Sequence, residues 1–114
     1  MNFYTVITTE FALSDLKSAQ NFYEKQAPEL GGYFFDALVT DIESLRLYAG
    51  IHSKEFGYYK MLSKLFPYSI YYDIVEDTTV RVIGVLDQRR NPVSNYTQHN
   101  TRGTSNIIPV KKGE

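Results

Sequence analysis

The spacing of apolar residues divides the first half of the chain into one strand and two helices. Residues 3–8 are aromatic and β-branched, which predicts a short strand, and Thr8 or Thr9 can cap the helix that follows. Apolar residues then recur at helical spacing as far as Pro28, which ends the first helix. A second helix is predicted from about Glu29 to Leu47, and the tight connection between the two favours an antiparallel hairpin packed on a sheet. The apolar stripes consist of Ala12, Leu16, Ala19 and Tyr23 in the first helix and Phe34, Leu38, Ile42 and Leu45 in the second.

The second half of the chain has the patterns of β-strands. Tyr58–Leu65 is predicted as a strand, although its pattern also fits a helical turn, and Ala49–Gly57 is predicted as a polar loop. Tyr68–Val75 and Thr79–Asp87 are rich in aromatic and β-branched residues, and Glu76–Thr78 supplies the turn of a hairpin. The predicted fold is therefore α+β, in the order β-α-α-β-β-β, with three antiparallel strands and the N-terminal strand added at an edge. Simple alternation along the last strand places Arg81, Ile83, Val85 and Asp87 on one face and Val80, Val82, Gly84 and Leu86 on the other.

Length and composition limit the classes of protein to consider. The 114 residues suffice for one domain, which we expect over residues 1–92, followed by a polar, flexible tail over residues 93–114. The chain contains no cysteine, which excludes disulfides and thiolate metal sites and fits a reducing compartment. With neither a basic leader before an apolar run nor a membrane-length run, a cytoplasmic protein without membrane contacts is predicted.

The net charge of −1 is unevenly distributed. Acidic residues dominate residues 1–50, and basic residues dominate residues 88–114. The asymmetry indicates that the two ends face different neighbours, or that an acidic helical face and a basic tail keep the domain soluble. Strong nonspecific binding to nucleic acid is not predicted, because such binders are clearly basic.

Familiar catalytic constellations are missing from the sequence. His52 and His99 have no second ligand at metal spacing, and the phosphate-binding and nucleophile motifs are absent, so neither a metal nor another cofactor is predicted. Acidic pairs are interpreted as solvated helix and turn residues rather than as a general acid and base. These pairs are Asp41 with Glu43 and Glu76 with Asp77.

Basic and aromatic residues around the predicted sheet are the candidate binding residues. One interpretation is that the cations bind phosphate while tyrosine rings stack on bases. The alternative is that the tyrosines pack beneath the helices while the cations extend into water. The candidate cations are Lys60, Lys64, Arg81, Arg89 and Arg90, and the tyrosines are Tyr58, Tyr59, Tyr68, Tyr71 and Tyr72.

Four segments of the chain form a pattern in their order and spacing. They are Ala12, Asp15-Leu16, Ala19 and Phe22-Tyr23-Glu24; Pro28, Leu30-Gly31 and Phe34; Phe66-Pro67-Tyr68 and Ile70-Tyr71-Tyr72; and Val80-Arg81-Val82 to Arg89-Arg90-Asn91-Pro92. Together they resemble the RelE/ParE superfamily of toxins, which includes plasmid stabilisation proteins, and the fold of that superfamily agrees with the β-α-α-β-β-β order. The resemblance implies the toxin of a type II toxin-antitoxin module, held inactive by an antitoxin whose chain wraps over it.

The superfamily contains two activities, and the resemblance assigns residues to each. RelE-like members cut messenger RNA in the ribosome without a metal, using cations on the central strands to stabilise the reacting phosphate. Lys60 matches one such cation, whereas Leu62 and Ser69 stand where the nuclease motif has lysine and arginine, and Asp87 where many relatives have histidine. If the chain is a nuclease, its candidate catalytic residues are Lys60, Tyr68, Arg89 and Arg90, with Tyr96 beyond them.

ParE-like members inhibit DNA gyrase through protein contacts and need no catalytic set. The eroded nuclease motif therefore favours a noncatalytic growth inhibitor that binds a protein target, with gyrase as the candidate. Two alternatives stay open: a ribosome-dependent endoribonuclease and a degenerate, nontoxic module that only binds an antitoxin. The antitoxin is expected at a sheet edge and in the groove beside the helical hairpin.

Overall fold

The computed structural model describes residues 3–89, which form two long helices and one five-stranded sheet. Its helices and strands follow the predicted order, with one additional short strand in the segment predicted as a loop. The elements are β1 (Thr5–Thr8), α1 (Glu10–Gln26), α2 (Leu30–Glu43), α3 (Leu45–Tyr48), β2 (Lys54–Glu55), β3 (Tyr58–Leu62), β4 (Tyr68–Val75) and β5 (Thr79–Asp87).

The sheet has the strand order β1-β5-β4-β3-β2. β1 lies at an edge, as predicted, and pairs parallel to β5, whereas the other neighbours pair antiparallel. Glu76 and Asp77 both have positive φ, at 56° and 61°, which is the geometry of a tight hairpin turn between β4 and β5. The α+β fold predicted from the sequence is confirmed.

α1 and α2 pack against one face of the sheet and form the main core. The predicted stripe residues of both helices are buried there, except that Tyr23 is half-buried. Alternate residues of each strand face the helices and complete this core. We call this the helix-side face of the sheet and the opposite one the outer face. The strand residues in the main core are Met61, Tyr68, Ile70, Tyr72, Val80, Val82 and Val85.

The helix starts are fixed by side-chain oxygens. Thr9 caps α1 by accepting a hydrogen bond from the backbone N–H of Ala12, at 3.2 Å. The start of α2 is satisfied from α1, because the Glu24 carboxylate accepts hydrogen bonds from the backbone N–H groups of Glu29 and Gly31, each at 2.9 Å. Glu29, at which the sequence predicted that the second helix begins, has a φ of 72° and makes no capping bond with its side chain. Glu24 therefore links the two helices of the hairpin.

A β-bulge in β5 changes the predicted alternation. Tyr71 lies opposite Gly84 while the next residue, Tyr72, lies opposite Val82, so Ile83 is an extra residue on β5. Beyond the bulge the two faces exchange, and Val85 joins the main core on the helix-side face. The prediction that Val85 shares a face with Arg81 was wrong for this reason. The Asp15 carboxylate on α1 accepts a hydrogen bond from the Val85 N–H at 2.9 Å and holds the strand just after the bulge.

Three smaller expectations also need correction. The second predicted helix is interrupted at Ser44, and the predicted Tyr58–Leu65 strand ends at Leu62. Asp41 is not solvated: it is buried and accepts hydrogen bonds from Ser63 Oγ at 2.7 Å and from the Lys64 N–H at 3.2 Å. It supports the loop after β3, which is a structural role.

Among the described helices, none combines the length and the apolar character needed to cross a membrane. The predicted tail over residues 93–114 lies outside the described residues, as do Arg90, Tyr96 and His99.

Candidate functional site

Lys60 lies on the outer face of the sheet and is held by a carboxylate. Its Nζ lies 2.9 Å from Glu55 Oε1, and the Tyr71 hydroxyl donates a hydrogen bond to the same oxygen at 2.9 Å. Glu55 comes from β2, the strand that the sequence did not predict. Burial, and then the adjacent Glu55 carboxylate, raise the pKa of Tyr71, so its hydroxyl stays protonated and keeps donating. The candidate phosphate-binding lysine is therefore already neutralised.

Arg81 lies on the same face, on β5, and is paired with the residue opposite it in β4. Its Nε donates to Asp73 Oδ1 at 3.0 Å and its terminal nitrogen to Asp73 Oδ2 at 2.5 Å, a bidentate ion pair. The hydrogen bonds to Asp73 raise the pKa of Arg81, and burial followed by Asp73 raises that of the nearby Tyr58. The Arg81 guanidinium is therefore held by an ion pair with Asp73 on the neighbouring strand.

Arg89 does not join the cations of the outer face. It forms two side-chain hydrogen bonds to Asp87, at 2.8 and 2.7 Å, and its backbone N–H donates to Asp87 Oδ1. Asp87 lies opposite Tyr68, whose ring is in the main core, so this pair sits at the helix-side rim of the sheet. The structure therefore separates Arg89 from Lys60 and Arg81.

Leu62 and Ser69, which the resemblance aligns with two cation positions of the nuclease motif, lie together on the outer face. Leu62 lies opposite Ser69, next to Lys60 along β3. Leu62 is exposed, whereas Ser69 is 2% exposed. Tyr68, the candidate catalytic tyrosine, is on the other side of the sheet and buried against Phe34, with ring centroids 5.2 Å apart. Tyr68 and Lys60 therefore lie on opposite faces of the sheet.

Most of the candidate tyrosines pack beneath the helices, which was the alternative to stacking on bases. Tyr59, Tyr68 and Tyr72 pack in or against the main core beneath the helices. Tyr71 and Tyr58 are on the outer face, but Tyr71 is only 1% exposed. These rings offer no platform on which successive bases could stack.

Lys64, another of the candidate cations, borders a groove. The groove has a volume of about 390 Å³ and runs between α2 and the loop after β3. Tyr33 on one side and Leu65 on the other are 55% and 60% exposed, which is unusual for such large apolar side chains. We call this the α2 groove. Its remaining lining residues are Asp36, Ala37, Thr40 and Asp41.

Sequence reasoning missed the two carboxylates that neutralise the outer face. Asp73 had a usable signal, because counting outward from the Glu76–Thr78 turn places it opposite Arg81. Glu55 had none, because β2 is only two residues long and has no strand pattern of its own. Within residues 3–89, no three His, Cys, Asp or Glu side chains are grouped so that they could hold a metal ion.

Comparison with known proteins identifies the family of this chain and a solved structure with a similar fold. The family model described as the ParE toxin of the type II toxin-antitoxin system, parDE, matches residues 6–92. The chain belongs to the ParE toxin family. A solved structure, the chromosomal ParDE toxin-antitoxin system from P. aeruginosa, superposes with a TM-score of 0.66 at 17% sequence identity. That alignment covers 73% of this chain and 94% of the other, and no curated protein sequence matches.

Membership in the ParE family supports a role as the toxin of a type II module. It also agrees with the pairing of cations and carboxylates on the sheet. On the described strands, Lys60 and Arg81 are each matched by a carboxylate, as is Arg89 just beyond β5. The resemblance seen in the sequence is confirmed at the level of the family.

Proposed function

We propose that this ParE toxin inhibits growth by binding a protein target, DNA gyrase, without cutting RNA, and that a cognate antitoxin neutralises it. The observation that carries the proposal is the ion pair between Lys60 and Glu55. Lys60 is the residue that matches the nuclease motif, and a nuclease needs its charge for the reacting phosphate.

The Lys60 pair leaves little attraction for a phosphate. A phosphate about 4 Å from the ammonium would gain about 4 kcal/mol at an effective dielectric constant of about 20. The Glu55 carboxylate, at about 6 Å from the same phosphate, would cost about 3 kcal/mol, so only about 1 kcal/mol would remain. Mutations that remove one stabilising donor cost about 3–4 kcal/mol in well-studied hydrolases, so the remaining attraction is too small for efficient cleavage.

The target is tested with the purified, full-length chain in a gyrase supercoiling assay. We expect inhibition that increases with toxin concentration, and arrest of growth when the chain is expressed alone. Primer extension on translated messages from the arrested cells should show no new cleavage ends. Growth arrest with new ends and unchanged supercoiling would reject the proposal in favour of the ribonuclease, and harmless expression would favour the nontoxic module.

The antitoxin contact is assigned to the α2 groove. Tyr33 and Leu65 provide exposed apolar anchors across it, while Lys64 and Asp36 provide opposite charges at its rim. An amphipathic segment buries its apolar side in such a groove and pairs its polar side with the rim. The toxin-antitoxin system of this family supplies an antitoxin as the partner.

The contact is tested by Leu65→Asp and Tyr33→Asp, with Leu13→Asp as the matched control. Leu13 is 42% exposed and lies on α1, outside the α2 groove. Loss of a buried apolar anchor at an interface costs about 2 kcal/mol or more, so the groove variants should bind the antitoxin at least about tenfold more weakly. Affinities unchanged in both groove variants, or weakened equally in the control, would remove the groove from the interface.

A further inference from the structure

A cavity of about 670 Å³ lies at the end of the sheet that carries the turn between β4 and β5. Its apolar side is formed by Tyr4, Tyr59 and Ile74, which also pack against the main core. We call it the turn cavity, and it shares no lining residue with the α2 groove. The turn cavity is therefore a separate place at which another molecule can bind.

Large apolar side chains are exposed around the turn cavity. Ile51 lines it and is 72% exposed, more than any other large apolar side chain within residues 3–89. The hydrogen bond from the Tyr4 N–H to the Arg46 carbonyl oxygen, at 2.9 Å, holds the start of β1 beside α3, and both segments carry further exposed apolar residues. Apolar residues exposed together in one place mark a surface that another protein covers. These further residues are Phe3, Leu47 and Tyr48.

Two charges of opposite sign at the turn cavity have no ionic partner within residues 3–89. The Lys54 ammonium lies 4.8 Å from the centroid of the Tyr59 ring and makes no ion pair in this range, and neither does the Asp77 carboxylate. Asp73 also lines the cavity, but it is already paired with Arg81. Lys54 lies on β2 and Asp77 follows β4, with β3 between them in the sheet, so their backbones are separated by about 10 Å or more. The unpaired charges therefore lie on different sides of the cavity.

We propose that the turn cavity is the centre of a symmetric homodimer, in which Lys54 of each copy pairs with Asp77 of the other copy. A two-fold axis through the cavity brings the same surface of both copies together, and each residue then meets the residue on the opposite side of the axis. Because the two sides of the cavity carry opposite charges, the surface is complementary to itself.

A second copy fits this surface because it already carries every group that the surface needs. It supplies a carboxylate for Lys54, an ammonium for Asp77 and apolar side chains for the space between them. A stable interface buries about 800 Å² on each partner, so the exposed apolar residues around the cavity take part together with Ile51. The dimer uses no residue that lines the α2 groove, and it does not depend on which target the toxin binds.

The homodimer is tested by sedimentation of the purified full-length chain and of its Lys54→Asp and Asp77→Lys variants over a range of concentrations. The wild type should form a dimer that dissociates on dilution. Each single variant places like charges opposite each other at two points, so it should dimerise at least about tenfold more weakly. An equal mixture of the two variants should restore the dimer as a heterodimer, because one partner then carries two acids where the other carries two lysines. Native mass spectrometry distinguishes this heterodimer from the homodimers by mass.

Matched controls reverse a charge outside the turn cavity. Lys17→Asp on α1 and Asp36→Lys on α2 should leave the dimer unchanged. Glu76 has a φ of 56° in the same turn as Asp77, so this turn accepts a long side chain at positive φ, and circular dichroism checks that each variant is folded.

Three outcomes would overturn the proposal. The first is a wild-type chain that stays monomeric at every concentration. The second is a dimer that both single variants form as well as the wild type does, which would place the interface elsewhere. The third is a pair of folded, monomeric single variants that form no heterodimer when mixed, because the pairing of Lys54 with Asp77 of the other copy requires one.

Discussion

Replacing Gly31 by alanine should destabilise the fold, whereas the same change at the adjacent Gly32 should not. A Cβ at position 31 would lie 2.6 Å from the Gln20 carbonyl oxygen and 2.9 Å from Glu24 Cβ, both on α1. The carbonyl oxygen belongs to a helix backbone and cannot rotate away, so the helices must separate. At position 32 a Cβ would meet no atom within 4 Å.

The expected magnitudes follow from these contacts. Overpacking costs about 1–3 kcal/mol, and separation of the helices would also stretch the hydrogen bonds from Glu24 to the start of α2, each worth about 1.5–3 kcal/mol. Against this stands a gain of about 1 kcal/mol in helix propensity, which Gly32→Ala receives without the clash. Gly31→Ala should therefore lose about 1–3 kcal/mol of unfolding free energy, and Gly32→Ala should gain up to about 1 kcal/mol.

The two variants are compared by urea and thermal unfolding of the full-length chain. In small domains each 1 kcal/mol corresponds to about 4–8 °C in Tm, so the variants should differ clearly and in opposite directions from the wild type. Equal stability of Gly31→Ala and Gly32→Ala would refute the close packing of α1 on α2 at this position.

Three further outcomes are expected in the same unfolding measurements. Asp15→Ala should cost about 1–3 kcal/mol, because the Val85 N–H beside the bulge loses its acceptor, and Asp15→Asn, which keeps an acceptor, should cost less; equal losses would argue against the bond. Lys60→Ala should cost less than about 1 kcal/mol, because its ion pair is partly exposed; a larger loss would mean that the pair is needed for folding. Burial lowers the pKa of His52, whose Nδ1 lies 2.6 Å from the Tyr72 hydroxyl. The folded state therefore resists protonation, and its stability should fall as the pH drops below about 6.5, where unfolded histidine gains a proton. A titration in which His52→Gln shows the same decline as the wild type would exclude His52 as its source.

The elements set by local pattern were predictable from the sequence. Thr9, the Glu76–Thr78 turn and the helical stripes depend on residues close in the chain, and the structure places each where the pattern indicated. The bulge at Ile83 depends on no such pattern, and it exchanged the faces of every residue after it. Side chains alternate along a strand with a period of two residues, and this pattern does not show where an extra residue interrupts it.

The candidate site was less predictable, because its cations are neutralised by ion pairs with carboxylates on other strands. Glu55 reaches Lys60 only because a two-residue strand adds to the sheet edge, and Glu24 caps α2 only because the hairpin closes. The resemblance indicated which positions lack the cations of the nuclease motif. It could not indicate that the cation remaining at Lys60 is neutralised, which is a property of the folded sheet.

Gyrase inhibition without RNA cleavage is tested most directly by titrating purified wild-type and Lys60→Ala chains into a gyrase supercoiling reaction. If the toxin acts on a protein target without outer-face chemistry, both chains should inhibit supercoiling at similar concentrations. Absence of inhibition by the wild-type chain, together with messenger RNA cleavage that Lys60→Ala abolishes, would contradict it.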